Sequence, residues 1–291
     1  MTWPMNTENP LTANLAGEDW AGEMGERWLA SLDRFESMIS PVGDALLTRA
    51  AFLPGERVVD VGCGGGASSR EIAASVAPGG VVQGLDLSPG LVAEATRRAA
   101  AEGITNATFS VGDASSVLPP GAPIDRLFSR FGTMFFADPP AAFRNLGRMV
   151  KTGGRADLAV WAPAKGNPWV SGLMGIVRNH LELPAPAPGT PGPFSLDDPE
   201  RLRLLLEGGG FGDIDVYFWQ GQQLVGGAGA TAASAARFVL ESMSFGQLVA
   251  AQPEALRSTI EAEIREHFAA HQTPSGVVMG ANAWLVRATR R

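Results

Sequence analysis

Several residue types are scarce in this sequence, and each scarcity narrows what the protein can be. Among 291 residues there is a single cysteine, Cys63, so no disulfide can form within the chain, and a reducing compartment, the cytoplasm, is the expected location. Lysine occurs only at Lys151 and Lys165, and the formal net charge is −7. Because nucleic acids are recognised first through a basic surface that neutralises phosphates, we expect no nucleic-acid partner. The acidic balance instead favours an enzyme that acts on a small molecule.

Long hydrophobic runs are also missing. The first 19 residues have neither a basic start nor an apolar stretch, so we predict no export signal. The longest uncharged segment, residues 216–236, contains three glutamines and a glycine-rich stretch, which makes it too polar to span a bilayer. We therefore expect no membrane partner. Hydrophobic residues still make up 45% of the chain, which predicts a globular protein of one or two domains.

Strand and helix patterns alternate along the chain and predict an α/β fold. Seven strands are predicted, at residues 57–61, 81–85, 107–111, 125–129, 156–161, 214–220 and 276–288. Helices are predicted between the first five, at residues 68–77, 89–103 and 139–153, with Ser88 and Asp138 as N-caps. This alternation indicates a Rossmann-like, mostly parallel seven-stranded sheet with helices on both faces.

Three regions follow from these patterns. Residues 1–50 are expected to form a helical lead or lid, with two helices broken at Pro41. Residues 51–162 would form the Rossmann-like core. Residues 163–291 would combine an inserted substrate cap, at about 163–197, with the remaining strands and inserted helices.

The N-terminal helices carry one apolar stripe, formed by Trp28, Leu32, Phe35 and Ile39. This stripe is consistent with packing on the core, with covering a cofactor, or with both.

A glycine-rich turn, VVDVGCGGGASS at residues 58–69, joins the first strand to its helix. Residues without a Cβ let a ligand touch the backbone, and the N-terminus of the next helix attracts an anionic group. The turn also satisfies the dinucleotide pattern G-x-G-x-x-A, so by itself it does not distinguish between adenine-containing cofactors.

Two carboxylates follow the next two strands. Asp86, 20 residues past Gly66, is placed to accept hydrogen bonds from ribose hydroxyls, although it is also an ordinary strand-end residue. Asp113, in GDAS, is placed near an adenine amino group, although this string is a common strand-to-loop ending. In α/β sheets, ligands bind at the carboxyl ends of the strands, where all three features lie.

Together, VVDVGCGGG, GLDLSP and GDAS resemble motifs I, II and III of class I S-adenosylmethionine-dependent methyltransferases. Later strings, including FSRFGTMFFADPPAAF at residues 128–143 and KTGGRADLAVWAP at 151–163, are similar to a small-molecule subgroup described as ubiquinone/menaquinone-biosynthesis C-methyltransferase-like. The resemblance covers most of residues 20–211. It implies S-adenosyl-L-methionine as cofactor, S-adenosyl-L-homocysteine as product and a small-molecule methyl acceptor.

The resemblance also implies a cofactor site, residue by residue. Its members are Asp60, Gly62, Cys63 and Gly64 for the methionine part, Asp86 and Leu87 for the ribose and adenine, Asp113 and Ala114 for the adenine edge, and the backbone of Ser129 and Arg130 for the methionine ammonium. Asp60 favours this cofactor over a nicotinamide dinucleotide, because a carboxylate suits a cationic amino-acid group and is poorly placed beside a pyrophosphate.

The substrate side rests on weaker signals. Phe131, Phe135, Trp161 and Trp169 are candidates for an aromatic pocket, since a sulfonium prefers aromatic faces, although such residues are also typical of a core. No catalytic residue is assigned beyond the weak candidate base His180. His267 and His271 have metal-compatible spacing but no further ligands, so we predict a solvated helix face and no metal.

Two other functions remain open at this point: an NAD(P)-dependent oxidoreductase that uses the same turn, and a non-catalytic S-adenosylmethionine-binding module. The acceptor atom is also open, as is the oligomeric state, with a homodimer among the alternatives.

Overall fold

A computed structural model of the protein describes residues 19–183 and 189–291. Its strands form one sheet in the order β3-β2-β1-β4-β5-β8-β6, with a short β7 beside β8. The strands are β1 Arg57–Val61, β2 Val81–Asp86, β3 Ala107–Val111, β4 Ile124–Arg130, β5 Val150–Trp161, β6 Phe211–Val225, β7 Gln272–Thr273 and β8 Gly276–Arg290. The predicted seven-stranded sheet is confirmed as the main path, and β7 is an addition of two residues.

The sheet is mostly parallel, as predicted. Strands β1 to β5 pair in parallel, whereas β8 runs antiparallel to both β5 and β6. The carboxyl ends of β1, β2, β3 and β4 therefore lie along one edge of the sheet, which is where the candidate residues are concentrated.

Ten α-helices are described in these two ranges. They are α1 Glu23–Ala30, α2 Leu32–Ala50, α3 Ala67–Val76, α4 Pro89–Ala101, α5 Pro139–Met149, α6 Pro168–Arg178, α7 Pro199–Gly208, α8 Ala232–Ser242, α9 Ser244–Ala250 and α10 Glu254–Ala269. Both predicted N-caps are confirmed, because the Ser88 hydroxyl accepts from the Leu91 N–H and the Asp138 carboxylate from the Ala141 N–H.

The predicted end of α5 is wrong. The helix ends at Met149, and the next residue, Val150, already pairs with Ile124 in the sheet. A register shift between Ile124 and Arg126 accommodates the extra residues before regular pairing resumes. The strand β5 therefore begins six residues before its predicted start.

The predicted helix break at Pro41 is also wrong. The helix α2 continues through Pro41, and the break lies at Ser31 instead. Proline has no N–H to donate to the Ser37 carbonyl, but the Ser40 hydroxyl donates to that carbonyl at 3.1 Å. The local serine thus replaces the missing backbone donor and helps the helix to continue.

The apolar stripe of the N-terminal helices is buried along α2, where Leu32, Phe35 and Ile39 are 4–6% exposed. Trp28 of α1 stacks on Phe35 with ring centroids 3.8 Å apart. The assignment of residues 1–50 as a lid stays a prediction, and residues 1–18 and 184–188 lie outside the described part of the chain. Within that part, no helix has the length and apolar character needed to cross a membrane.

Candidate cofactor site

The glycine turn after β1 is built around backbone shapes that favour glycine. Gly62 and Gly64 have φ angles of 69° and 53°. A Cβ on Gly62 would lie 2.7 Å from the Cα of Gly132, so the turn is pressed against the loop that follows β4. A Cβ on Gly64 would meet no described atom within 4 Å. The turn is therefore fixed on one side and open at Gly64.

Asp86 joins this turn to the end of β2. Its Oδ2 accepts from the Gly64 N–H at 2.8 Å, and its Oδ1 accepts from the Ser88 N–H at 2.9 Å. Burial raises the pKa of Asp86, and these backbone donors oppose the rise. Each carboxylate oxygen has two lone pairs, so Asp86 retains capacity to accept from a ligand hydroxyl.

Asp60 lies beneath the turn and is fully buried. Its Oδ2 accepts hydrogen bonds from the hydroxyls of Ser68, at 2.9 Å, and Ser69, at 2.6 Å, which hold the first turn of α3 onto β1. Its Oδ1 is buried and has no hydrogen-bond partner among the described residues. Burial raises the pKa of Asp60, and the two serines oppose the rise. Asp60 thus has a structural role, and it also keeps one unused acceptor at the site.

Cys63 lies inside the turn. The side chain is buried, and burial raises the pKa of its thiol well above the usual value, with Asp86 and Asp60 adding to the rise. This environment disfavours the thiolate, so the side chain fits a packing role.

The candidate adenine residues lie at neighbouring strand ends, since Asp86 of β2 pairs with Val111 of β3. Asp113 is exposed, and its Oδ1 accepts from the Ser115 N–H at 2.8 Å. Leu87 is 38% exposed, which leaves an apolar side chain available at this edge. Ala114 is buried, and its carbonyl accepts from Asn145.

The end of β4 closes the site on the other side. The Ser129 hydroxyl donates to the Val61 carbonyl at 2.7 Å, which ties β4 to the start of the glycine turn. Phe131 has a φ of 63°, a left-handed shape that is costly for a large side chain. The same residue donates its N–H to the Ala159 carbonyl, which holds the backbone in this conformation.

Three of the four predicted aromatic residues come together. Phe131 stacks on Trp161 with centroids 4.1 Å apart, and Trp161 lies 5.2 Å from Trp169. Phe135 instead packs edge-to-face on Trp20, with ring centroids 4.8 Å apart, and so belongs to a separate group. Phe131, Trp161 and Trp169 are 5–7% exposed, so they belong to the core as well as to the candidate site.

Residues 58–154 match the protein family described as methyltransferase domain. This match covers 97 of the 291 residues, about a third of the chain. The Rossmann-like fold of the chain is the one that the class I motifs of the sequence predict.

Similar proteins and structures match different shares of the chain. Over 116 residues, 40% of this chain and 53% of that protein, the chain is 32% identical to aklanonic acid methyltransferase DauC of Streptomyces sp. strain C5. The crystal structure of the YcgJ protein of Bacillus subtilis has a TM-score of 0.57 at 18% identity, covering 86% of this chain and 99% of that one. Phosphoethanolamine N-methyltransferase 2 of Haemonchus contortus, solved with phosphomonomethylethanolamine and S-adenosylhomocysteine, has a TM-score of 0.51 at 20% identity, covering 86% and 52%. The chain spans about half the length of the curated relatives it matches.

The helix α2, which belongs to the predicted lid, lies against the glycine turn. A Cβ on Gly65 would lie 2.5 Å from Leu32 and 2.9 Å from the Glu36 Oε1, so α2 rests directly on the glycine turn. Glu36 also accepts from Arg98 of α4 at 3.1 Å. Burial raises the pKa of Glu36, and the positive charges of Arg130, Arg98 and Arg70 oppose the rise. No motif marks Glu36, because its position is set by how α2 crosses the domain.

The candidate base His180 is paired elsewhere. Its Nε2 lies 2.9 Å from the Glu263 Oε1 of α10, beyond the end of α6. His180 lies just past the end of α6, whereas Trp169 lies at the start of that helix. The 11 residues of α6 span about 16 Å at 1.5 Å per residue. The structure therefore does not bring His180 to the aromatic group. In the two described ranges, no cluster of three His, Cys, Asp or Glu side chains is arranged to hold a metal ion.

Proposed function

We propose that this protein transfers the methyl group of S-adenosyl-L-methionine to a small-molecule acceptor and releases S-adenosyl-L-homocysteine. The observation that carries the proposal is the bond between Asp86 and the Gly64 N–H at 2.8 Å. It places a carboxylate suited to ribose hydroxyls against a glycine turn suited to backbone contact, at the carboxyl edge of a methyltransferase domain. The name of the similar Streptomyces protein, aklanonic acid methyltransferase, supports a small-molecule acceptor.

The residues present fit this cofactor in two independent respects. The space above Gly64 is where a Cβ would otherwise project, so the backbone can be approached closely there. The unused Oδ1 of Asp60 adds a negative charge beside the turn, which suits the ammonium of a methionine group. In this proposal the turn residues Gly62, Cys63 and Gly64 hold the methionine part.

The ribose and adenine would lie along the next two strand ends. Asp86 would accept from the ribose hydroxyls, and Leu87 would pack on the adenine ring. Asp113 and Ala114 would border the adenine edge. The backbone of Ser129 would close the methionine end.

When bound, the cofactor supplies an activated methyl group on a sulfonium, so the protein's part is to position the reactants and exclude water. Phe131, Trp161 and Trp169 form an aromatic group that would orient the acceptor and favour the cationic sulfur. Alignment of this kind can contribute about 7–11 kcal/mol to lowering a bimolecular barrier. We assign no catalytic base, since His180 is paired with Glu263.

The first test is direct binding by isothermal titration calorimetry. The wild-type protein is expected to bind S-adenosylhomocysteine saturably, and Asp86→Ala is expected to weaken binding roughly 10- to 100-fold through loss of charge-assisted hydrogen bonds. Asp215→Asn is the matched control. Asp215 lies on the edge strand β6, where it pairs with Arg49 of α2. Equal binding by wild type and Asp86→Ala would refute the site assignment.

Two further measurements separate this function from its alternatives. Saturable NADH binding without S-adenosylhomocysteine binding would support an oxidoreductase instead. Incubation with methyl-labelled cofactor and a metabolite extract should yield a labelled product. If the cofactor binds and no extract component is labelled, the protein would be a binding module.

A further inference from the structure

Arg130 is a half-buried cation at the end of β4 that has no hydrogen bond and no ion pair with any residue of the described ranges. The other arginines of the sheet each donate at least one hydrogen bond to a carboxylate or a carbonyl of the described residues. Arg126, four residues earlier on the same strand, donates to Glu56, Asp157 and the Ala50 carbonyl. A guanidinium partly removed from water is best stabilised by a carboxylate, which it can bind with two parallel hydrogen bonds. Arg130 therefore has donors to offer to a ligand.

The strand register places Arg130 beside the glycine turn. Phe128 of β4 pairs with Asp60 of β1, and Arg130 lies two residues further along. Side chains two residues apart on a strand point to the same face, so Arg130 shares the face of the buried Asp60. The loop that immediately follows Arg130 is the one that presses on Gly62.

The helix α2 leaves room for this side chain. A Cβ on Gly43 would lie 2.9 Å from the Nη1 and 3.0 Å from the Cδ of Arg130. The same helix carries Glu36 to the glycine turn. Glu36 and Asp60 lie within electrostatic range of Arg130. The positive charge of Arg130 opposes the rise in pKa that burial causes in each of these two carboxyl groups.

This arrangement suits a zwitterion. We propose that the Arg130 guanidinium binds the carboxylate of the cofactor's methionine group. The ammonium of the same methionine group would face the acidic side formed by Asp60 and Glu36. The inference rests on the proposed function and extends it, since the sequence pointed to the backbone at this position as a contact for the ammonium and, more weakly, to Arg130 as a substrate contact. It also makes Arg130 a determinant of which adenosyl compound the site accepts.

The test compares two compounds that differ only in this carboxylate: S-adenosylmethionine and decarboxylated S-adenosylmethionine. By calorimetry, the wild-type protein is expected to bind the first roughly 10- to 100-fold more tightly, as expected for hydrogen bonds to a charged group. In Arg130→Gln the affinity for S-adenosylmethionine should fall by a similar factor. The affinity for the decarboxylated compound should stay the same or increase, so the preference should largely disappear.

Two more variants keep the test informative. Arg49→Gln removes the same charge from α2, where Arg49 pairs with Asp215, and should change neither affinity. Gly43→Ala crowds Arg130 without altering it and improves helix propensity, so it should fold and should reduce the preference for S-adenosylmethionine.

The outcomes separate the two levels of the proposal. A folded Arg130→Gln protein that keeps the wild-type preference, or that loses affinity for both compounds equally, would overturn the inference. A wild-type protein that binds both compounds equally would overturn it too, while leaving the proposed function intact. Binding of neither compound by the wild type would refute the proposed function and the inference together.

Discussion

The close approach of two glycines, Gly62 and Gly132, makes a sharp prediction about the stability of the turn. Gly62 has a φ of 69°, and a Cβ placed on it would lie 2.7 Å from the Cα of Gly132. That neighbouring atom is backbone and cannot rotate away as a flexible side chain could. Gly62→Ala should therefore be destabilising for two separate reasons, the backbone conformation and the steric overlap.

The magnitude follows from these two contributions. Placing alanine in a left-handed conformation costs roughly 1–2 kcal/mol. Forcing extra volume into a packed contact typically costs about 1–3 kcal/mol more. Gly103→Ala is the matched control, because Gly103 has a φ of 71° but a Cβ there would meet nothing within 4 Å. The free energy of unfolding should thus fall by about 2–5 kcal/mol for Gly62→Ala and by only about 1–2 kcal/mol for Gly103→Ala.

Urea-induced unfolding monitored by tryptophan fluorescence measures this difference, and the chain has seven tryptophans as probes. Gly62→Ala should also lose affinity for S-adenosylhomocysteine, whereas Gly103→Ala should not. If the two variants are equally destabilised, the close contact between Gly62 and the loop after β4 is refuted.

Two other predictions concern buried groups. Gln223 is 1% exposed, and neither its amide nitrogen nor its amide oxygen has a hydrogen-bond partner among the described residues. Gln223→Met should therefore raise the free energy of unfolding by about 1–3 kcal/mol. Gln220→Met is the neutral control, because Gln220 is exposed. A loss of stability on urea unfolding would mean that the amide has a partner after all. Cys63 should resist labelling by 5,5′-dithiobis(2-nitrobenzoic acid) in the native protein and react readily in urea, because burial raises the pKa of its thiol well above the usual value. Raising the pH from 7 to 9 should accelerate the unfolded reaction much more than the native one, since the ordinary thiol pKa of about 8.5 lies in that window; rapid native labelling would contradict the burial argument.

Sequence reasoning succeeded where structure is local. The strands β1 and β3 have the predicted bounds, and Ser88 and Asp138 cap their helices as predicted. Short apolar runs, capping residues and glycine turns act over a few residues, so the chain encodes them visibly. The parallel sheet then follows from the alternation of these units.

It failed where distant residues compensate for a local signal or create a new one. Pro41 predicted a break, but the Ser40 hydroxyl supplies the missing donor, and neighbouring helical turns keep the segment in place. Glu36 carries no motif and is brought to Gly65 only because α2 crosses the sheet edge. The helix α9 was missed because Ser244–Ala250 is short and its apolar residues gain their partners from α8 and α10.

The two ends of the candidate site are assembled differently, and this has a consequence for specificity. Gly62, Asp86 and Asp113 lie at or just beyond the ends of three consecutive strands, so the proposed cofactor end is encoded within the family match at residues 58–154. The aromatic group joins Phe131 to Trp161 and Trp169, the last two of which lie beyond that match. Substitutions after residue 154 should therefore reshape the proposed acceptor side without disturbing the glycine turn. Exchanging the chain after residue 161 between two such proteins should change the acceptor while the affinity for S-adenosylhomocysteine stays with the part that carries Asp86.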